Sequence, residues 1–173
     1  MIPENRSPFR EIRFRGKSRL CFVHEIGYPR FNEIDEYKVV WNGHYLNYFE
    51  IVRHECCRHC GFDLELLAKN GCYLPVYQYQ VSIRRPVFSS DWITAAVTPV
   101  KLEENRFEFL HFILIGDDVR AVGTVTHVPM SQEKGEVLFS LPRNVANIFT
   151  LLKEKFDHEE KERLLHPLQT ASL

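Results

Sequence analysis

No apolar run in this 173-residue chain is long enough to cross a bilayer, so a helical membrane span is excluded. Charge of one sign is also missing. The 22 Lys and Arg stand against 23 Asp and Glu, a formal charge of -1. Nothing in that balance draws the protein to nucleic acid or an anionic membrane surface. A secretory leader is not apparent: residues 1–19 carry Arg6, Arg10, Arg13, Arg15, Lys17 and Arg19 but no apolar centre. No CxxC pair appears outside the segment that holds Cys57 and Cys60, and the five cysteines are odd in number, which points to reduced thiols and a cytoplasmic location. Finally, there is no GxSxG elbow, no phosphate-cradling glycine loop, no internal repeat and no low-complexity tract. Serine-hydrolase, nucleotide-loop and solenoid architectures are thereby set aside.

What is present is a globular composition, 45% hydrophobic and rich in aromatics, with 13 Phe and seven Tyr. Residues 1–19 read as a basic, loosely ordered arm. A strand-like pattern follows from Leu20 to Phe31. After Asn42-Gly43, the apolar positions Tyr45, Leu46, Phe49, Val52, Cys56 and Cys60 recur every three or four residues, an amphipathic helix that Gly61 ends. A short helical piece covers Leu64–Lys69. Strand patterns then occupy 73–83, 92–102, 106–115 and 119–129, with polar breaks at Glu103-Glu104-Asn105 and Gly116-Asp117-Asp118 that suit hairpins. Leu141-Pro142 leads into a second helix, Asn144 to Phe156, with Val145, Ile148, Leu151 and Leu152 on one side. The segment beyond it is charged and then irregular, and its end reads as frayed. This order predicts an α+β domain over 20–142, an antiparallel sheet wrapped around one long helix, and a C-terminal helix and tail over 143–173.

Residues 31–53, FNEIDEYKVVWNGHYLNYFEIVR, concentrate the chemistry. An acidic segment, Glu33 and Asp35, precedes the apolar Val39-Val40-Trp41, then Asn42-Gly43, then the helix. The opening of a helix offers unpaired N–H groups and a partial positive charge, which suits a developing oxyanion. Asp35 on the other side of that site supplies a base or nucleophile. Taken alone, Asp35 is an ordinary turn residue.

Other candidates weigh less. Glu50 with Arg53 three residues on reads as a helix ion pair. His54 to Cys60 resembles a metal cluster on paper, but one helix face offers only two converging ligands, so buried apolar cysteines are the better reading and no metal is assigned. Arg84 and Arg85 suit phosphate through their forked guanidinium groups. His111 and His127 lie in strand patterns and read as satisfied polar positions.

The element order and the motif resemble the hotdog-fold thioesterases, in the branch of 4-hydroxybenzoyl-CoA thioesterase and the YbgC-like proteins. The matching residues are Glu33-Ile34-Asp35, Val39 to Tyr45, Tyr48-Phe49-Glu50 and Arg53, with Gly61, Arg85-Pro86, Asp91 and Leu141-Pro142 beyond. The resemblance implies hydrolysis of an acyl-CoA or acyl-carrier-protein thioester without metal or redox cofactor. Asp35 falls on the catalytic carboxylate, and Asn42 on the residue whose N–H polarises the thioester carbonyl. Gly43, Tyr45, Arg84 and Arg85 are expected beside the substrate. Asn42 stands where this branch most often has His, and Lys38 where many members have Gly. Since the family's sites lie between subunits, a homodimer or homotetramer is expected. The alternatives are a non-catalytic acyl-thioester binding module on the same fold and a hydratase relying on His44.

Overall fold

The computed structural model describes residues 7–61, 64–103, 105–141 and 143–165. Its elements are β1 (Phe9–Phe14), β2 (Lys17–Gly27), α1 (His44–His59), α2 (Leu64–Lys69), β3 (Cys72–Tyr73), β4 (Val76–Ile83), β5 (Ile93–Glu103), β6 (Arg106–Ile115), β7 (Asp118–His127), β8 (Met130–Ser131) and α3 (Arg143–Leu165). Six strands form one antiparallel sheet in the order β1-β2-β5-β6-β7-β4, and β3 pairs with β8 apart from it. None of the described helices is long and apolar enough to cross a membrane.

Helix α1 lies in the concave face of the sheet because one stripe of it is apolar. Tyr45, Tyr48, Phe49, Val52, Cys56 and Cys57 are all buried, at the three- and four-residue spacing of one helical face. They meet Ile93, Ala95 and Val97 of β5, Phe22 of β2, and Phe107, Phe109 and Ile113 of β6 in the main core. The sheet carries small residues where the helix comes closest. At Gly123 of β7, an added Cβ would lie 2.4 Å from Phe49 Cε2 and 2.9 Å from the backbone oxygen of Gln80. One of those neighbours is a ring wedged in the core and the other is backbone, so neither gives way cheaply. Gly123→Ala is therefore expected to destabilise the protein by roughly 1–3 kcal/mol, the usual cost of overpacking. Urea unfolding of the two proteins checks this through the shift in midpoint at unchanged slope.

Three expectations change. The loosely ordered arm over 1–19 is a strand hairpin from Phe9 onward, while residues 1–6 lie outside the described residues. Its order comes from side chains, because Phe9 and Ile12 are buried between charged neighbours. The single run 73–83 divides into β3 and β4 around Leu74-Pro75, where proline has no N–H to give a ladder. Helix α3 runs on past Phe156, where the sequence placed its end, through the charged segment to Leu165, helped by the Lys155–Glu159 pair one turn apart at 3.0 Å. Its buried stripe is Phe149, Leu152 and Phe156, whereas Leu151 is 48% exposed. The side chains of Val145 and Ile148, together with Glu104, Pro142 and residues 166–173, lie outside the described residues.

Candidate active site

The approach to α1 is a tightly bonded loop. A 3-10 turn at Phe31–Glu33 is closed by the Glu33 carboxylate, whose Oε2 accepts from the N–H of Arg30 and from the buried hydroxyl of Tyr48, both at 2.8 Å. Burial and this carboxylate push the Tyr48 phenol up from its ordinary range. One side chain thus ties the loop to the second turn of the helix.

The next residues fold back on themselves. The N–H of Asp35 donates to the carbonyl of Val39 (2.9 Å), and the N–H of Lys38 donates to the carbonyl of Asp35 (3.0 Å). Lys38 occupies this turn at φ 64, in the left-handed region, where the resembling family often has glycine. The Asp35 side chain completes the turn, its Oδ1 accepting from Tyr37 N–H (2.8 Å) and Val39 N–H (3.4 Å). Its Oδ2 has no protein partner among the described residues. One oxygen anchors the carboxylate in its turn.

The chain then reaches the helix. Val40 N–H donates to the Val87 carbonyl (2.8 Å), Trp41 N–H to the Glu33 carbonyl (2.9 Å), and His44 N–H to the Trp41 carbonyl (2.9 Å). Between the last two, the N–H groups of Asn42 and Gly43 have no acceptor among the described residues. These are the donors an oxyanion needs, at the positive end of α1. Gly43 is held by close approach: a Cβ there would sit 2.0 Å from Cζ3 of Trp41.

A cleft of about 320 Å³ opens here, lined by Asp35, Val39, Val40, Asn42, Tyr45, Ile83, Arg84, Arg85 and Pro86. Of the six candidate site residues, Asp35, Asn42, Tyr45, Arg84 and Arg85 share its wall, while Gly43 lies outside it under Trp41. Burial pushes the Tyr45 phenol up, so it stays a neutral hydroxyl. The two arginines differ. Arg85 pairs with Asp118, as does Arg120 at 2.7 Å, and Arg120 also donates to the Pro86 carbonyl at 2.7 Å. Arg84 has no carboxylate partner among the described residues and rests its guanidinium 5.0 Å from the Phe14 ring centroid. A larger cleft, about 780 Å³, lies between α3, β2 and β5. Its charged walls mix Arg19, Lys101 and Lys153 with Glu11, Asp157 and Glu160, and it holds none of the residues above.

Other sequence candidates find structural places. Glu50 pairs with Arg53 at 2.6 Å, the helix ion pair expected, and also faces His54 at 3.6 Å. Burial pushes the Glu50 carboxyl up, but the Arg53 guanidinium outweighs it and the net shift is downward. Cys56, Cys57 and Cys60 are buried, and burial pushes the Cys57 thiol up to about 12. His44 contacts Asn47 (3.0 Å) and the Trp41 ring rather than the cleft.

His127 shares its Nδ1 with the Leu74 carbonyl at 3.1 Å, while its buried Nε2 has no partner among the described residues, so the expectation of a satisfied position holds for one nitrogen only. For His111 the expectation of a satisfied polar position is corrected: neither ring nitrogen has a partner among the described residues, and the ring is held by stacking on Phe49 at 4.8 Å. The sequence reading overlooked the Glu33–Tyr48 tie, Arg120 and Phe14. Only the first had a signal, an acidic residue in the motif fifteen positions before a helix tyrosine.

Comparison with known proteins gives a family and a fold. The model of the thioesterase-like superfamily matches residues 29–156. A provisionally named esterase of Synechocystis sp. is 30% identical over 106 residues, 60% of this chain and 64% of that protein, so the match spans less than two thirds of the relative's length. Among solved structures, a DHNA-CoA thioesterase from Staphylococcus aureus superposes with a TM-score of 0.70 at 19% identity, over 81% of this chain and 93% of its own. A 1,4-dihydroxy-2-naphthoyl-CoA thioesterase from Synechocystis gives 0.69 at 16% identity, over 80% and 98%. At such identities the likeness establishes the fold, the hotdog arrangement of sheet and helix.

Proposed function

Because the chain belongs to the thioesterase-like superfamily, we propose that it hydrolyses acyl-CoA thioesters, in the manner of the 4-hydroxybenzoyl-CoA thioesterase and YbgC-like branch. One observation carries the reading: a carboxylate with one free oxygen and a helix opening with unpaired N–H groups border the same cleft, at Asp35 and Asn42. The thioester carbonyl oxygen points at the Asn42 N–H, which stabilises negative charge as the carbonyl becomes tetrahedral.

Asp35 then acts in one of two ways. As a base it takes a proton from water, whose oxygen attacks the carbonyl; the C–S bond breaks and the proton goes to the departing thiolate. As a nucleophile it attacks directly, expels the thiolate and forms an anhydride that water opens. Both routes give the free acid and the thiol. The backbone N–H at position 42 survives the exchange of His for Asn, since any residue but proline carries it. Tyr45 lines the acyl side of the cleft, and Arg84 and Arg85 face the phosphate-bearing end of the carrier.

The test is thiol release from a panel of aroyl-, branched and straight-chain acyl-CoAs, with acyl-carrier-protein thioesters alongside. Turnover of any of them supports the reading, and the preferred member names the substrate. Saturable binding of acyl-CoA without thiol release across the panel replaces it with a non-catalytic binding module.

The same reading includes self-association through β4. That strand ends the sheet, and on it Tyr77 and Tyr79 are 68% and 57% exposed, the latter on the same face as the core-packed Val81. An unpaired edge with exposed aromatics invites a second copy. Sedimentation is expected at a multiple of the 20.4 kDa chain mass, falling to one chain in Tyr77→Lys/Tyr79→Lys. A native protein that sediments as a monomer rules the association out.

A further inference from the structure

The β1–β2 hairpin does not continue the sheet to its tip. Strand β2 pairs with β5 only from Phe22 to Gly27, although the hairpin itself is zipped from Phe9↔Phe22 to Phe14↔Lys17. Phe14 nevertheless stacks edge-on against Phe112 of β6, with ring centroids 5.8 Å apart, two strands beyond its own partner. The free part of the hairpin must therefore turn out of the sheet and cross its outer face. A second apolar cluster fills that contact, with Ile12 and Cys21 of the hairpin on Ala96, Phe112, Leu114 and Val119. The tip arrives at the candidate cleft, because the Phe14 ring that covers Phe112 also meets Arg84 of the cleft wall.

Two guanidinium groups share that ring. Arg84 lies 5.0 Å from its centroid and Arg15, in the hairpin turn, 5.4 Å. Neither has a carboxylate within ion-pair distance among the described residues. Nearby, Arg85 and Arg120 share the single carboxylate of Asp118. The mouth of the cleft thus carries four arginines, two of them unpaired. Among the described residues, Asp35 inside the cleft, Asp91 near Tyr45 of its wall, and Glu11 and Asp117 beside the hairpin are other acidic groups close by. Unpaired arginines oriented by an aromatic face are arranged for a multiply charged phosphate ligand. The hairpin precedes residue 29, where the family match begins, so this half of the arrangement is an addition to the matched region.

We propose that the β1–β2 hairpin is a carrier-recognition element. Phe14 is a positioning residue that presets Arg84, together with Arg15, to bind the phosphates at the nucleotide end of coenzyme A. The chain consequently favours a CoA thioester over a thioester whose carrier lacks those phosphates. This inference rests on the thioester reading above, but its test does not depend on turnover.

The test is calorimetric binding of coenzyme A and of pantetheine, which shares the thiol arm but has no phosphate. Native protein is expected to bind coenzyme A more tightly, with a preference that declines as salt is raised. Phe14→Leu keeps an apolar side chain over Phe112 but removes the π face. It is expected to reduce the coenzyme A-to-pantetheine preference about two- to fivefold, the scale of an exposed cation–π contact. Phe14→Tyr is expected to restore the preference.

Arg84→Gln should lower it as well, and Phe14→Leu should then add less than it does alone, because only Arg15 still rests on the ring. Several results overturn the proposal: no preference for coenzyme A in the native protein, equal weakening of both ligands by Phe14→Leu, or full additivity with Arg84→Gln. The last two would make Phe14 a packing residue only. Binding that follows the expected pattern in a protein releasing no thiol from any acyl-CoA leaves the inference standing and removes the hydrolase reading instead.

Discussion

Thiol release is expected to fall by roughly 10²- to 10⁴-fold in Asp35→Ala, the range for loss of a positioned acid–base group. The alanine variant alone does not isolate chemistry, because Asp35 also builds its turn through Oδ1 and the N–H groups of Tyr37 and Val39. Asp35→Asn separates the two roles. An amide oxygen at the Oδ1 position still accepts from both N–H groups, so the turn and the opening of α1 keep their places. What is lost is the second carboxylate oxygen, which has no protein partner among the described residues. Asp35→Asn is therefore expected to lose activity to the same degree as alanine while unfolding at the native temperature. Activity retained in Asp35→Asn, with the turn intact, would assign Asp35 a purely structural role and move the search for the base elsewhere in the cleft.

The second large effect is loss of stability in mild acid. Beneath α1, burial pushes His111 down to about 3, with the Arg53 guanidinium and then His127 adding to the shift. Burial and then Arg53 push His127 down to about 4, against smaller opposing effects from the Leu74 carbonyl and Glu50. In the unfolded chain both imidazoles titrate near about 6.5. Between that value and their folded values, the unfolded state holds protons that the native state refuses. Stability is consequently full above pH of about 6.5 and declines as the pH falls, levelling only near the folded values.

By linkage, each histidine removes about 2 kcal/mol at a pH of about 5, a large part of a typical domain's stability. Urea midpoints taken between neutrality and that pH measure the loss. His111→Phe keeps the stack on Phe49 (4.8 Å in the native protein) and deletes one of the two protons. Its stability should vary with pH less steeply by one proton's worth. Identical midpoints across the window, in native protein and variant alike, would show that neither ring is held neutral.

The parts of this protein legible in one dimension are those whose causes are local. Helix α1 announces itself by apolar residues every three or four positions and stops at Gly61, whose N–H bonds the Arg58 carbonyl at 3.1 Å. Strands β5, β6 and β7 alternate and are joined by short polar turns, so their antiparallel pairing follows. Asp35 and Asn42 are seven residues apart on one loop, and hydrogen bonds within that loop account for how both come to the cleft. Even the left-handed turn at Lys38 lies where the resembling family often keeps glycine.

Tertiary structure decided the rest, for reasons of distance along the chain. The β1 segment FREIRF is half charged, and only burial of Phe9 and Ile12 against distant strands makes it ordered. His111 looks polar in sequence, yet among the described residues neither ring nitrogen has a partner, and its ring stacks on Phe49, sixty-two positions earlier. Arg84 and Arg85 are adjacent and chemically alike, yet one is tied to Asp118 and the other rests on Phe14, seventy positions away. Local periodicity sets which segments become helix or strand and which loop carries the reacting groups. Which of two neighbouring arginines is free to meet a ligand depends on charges and rings brought together by the folded sheet, and no spacing in the chain encodes that.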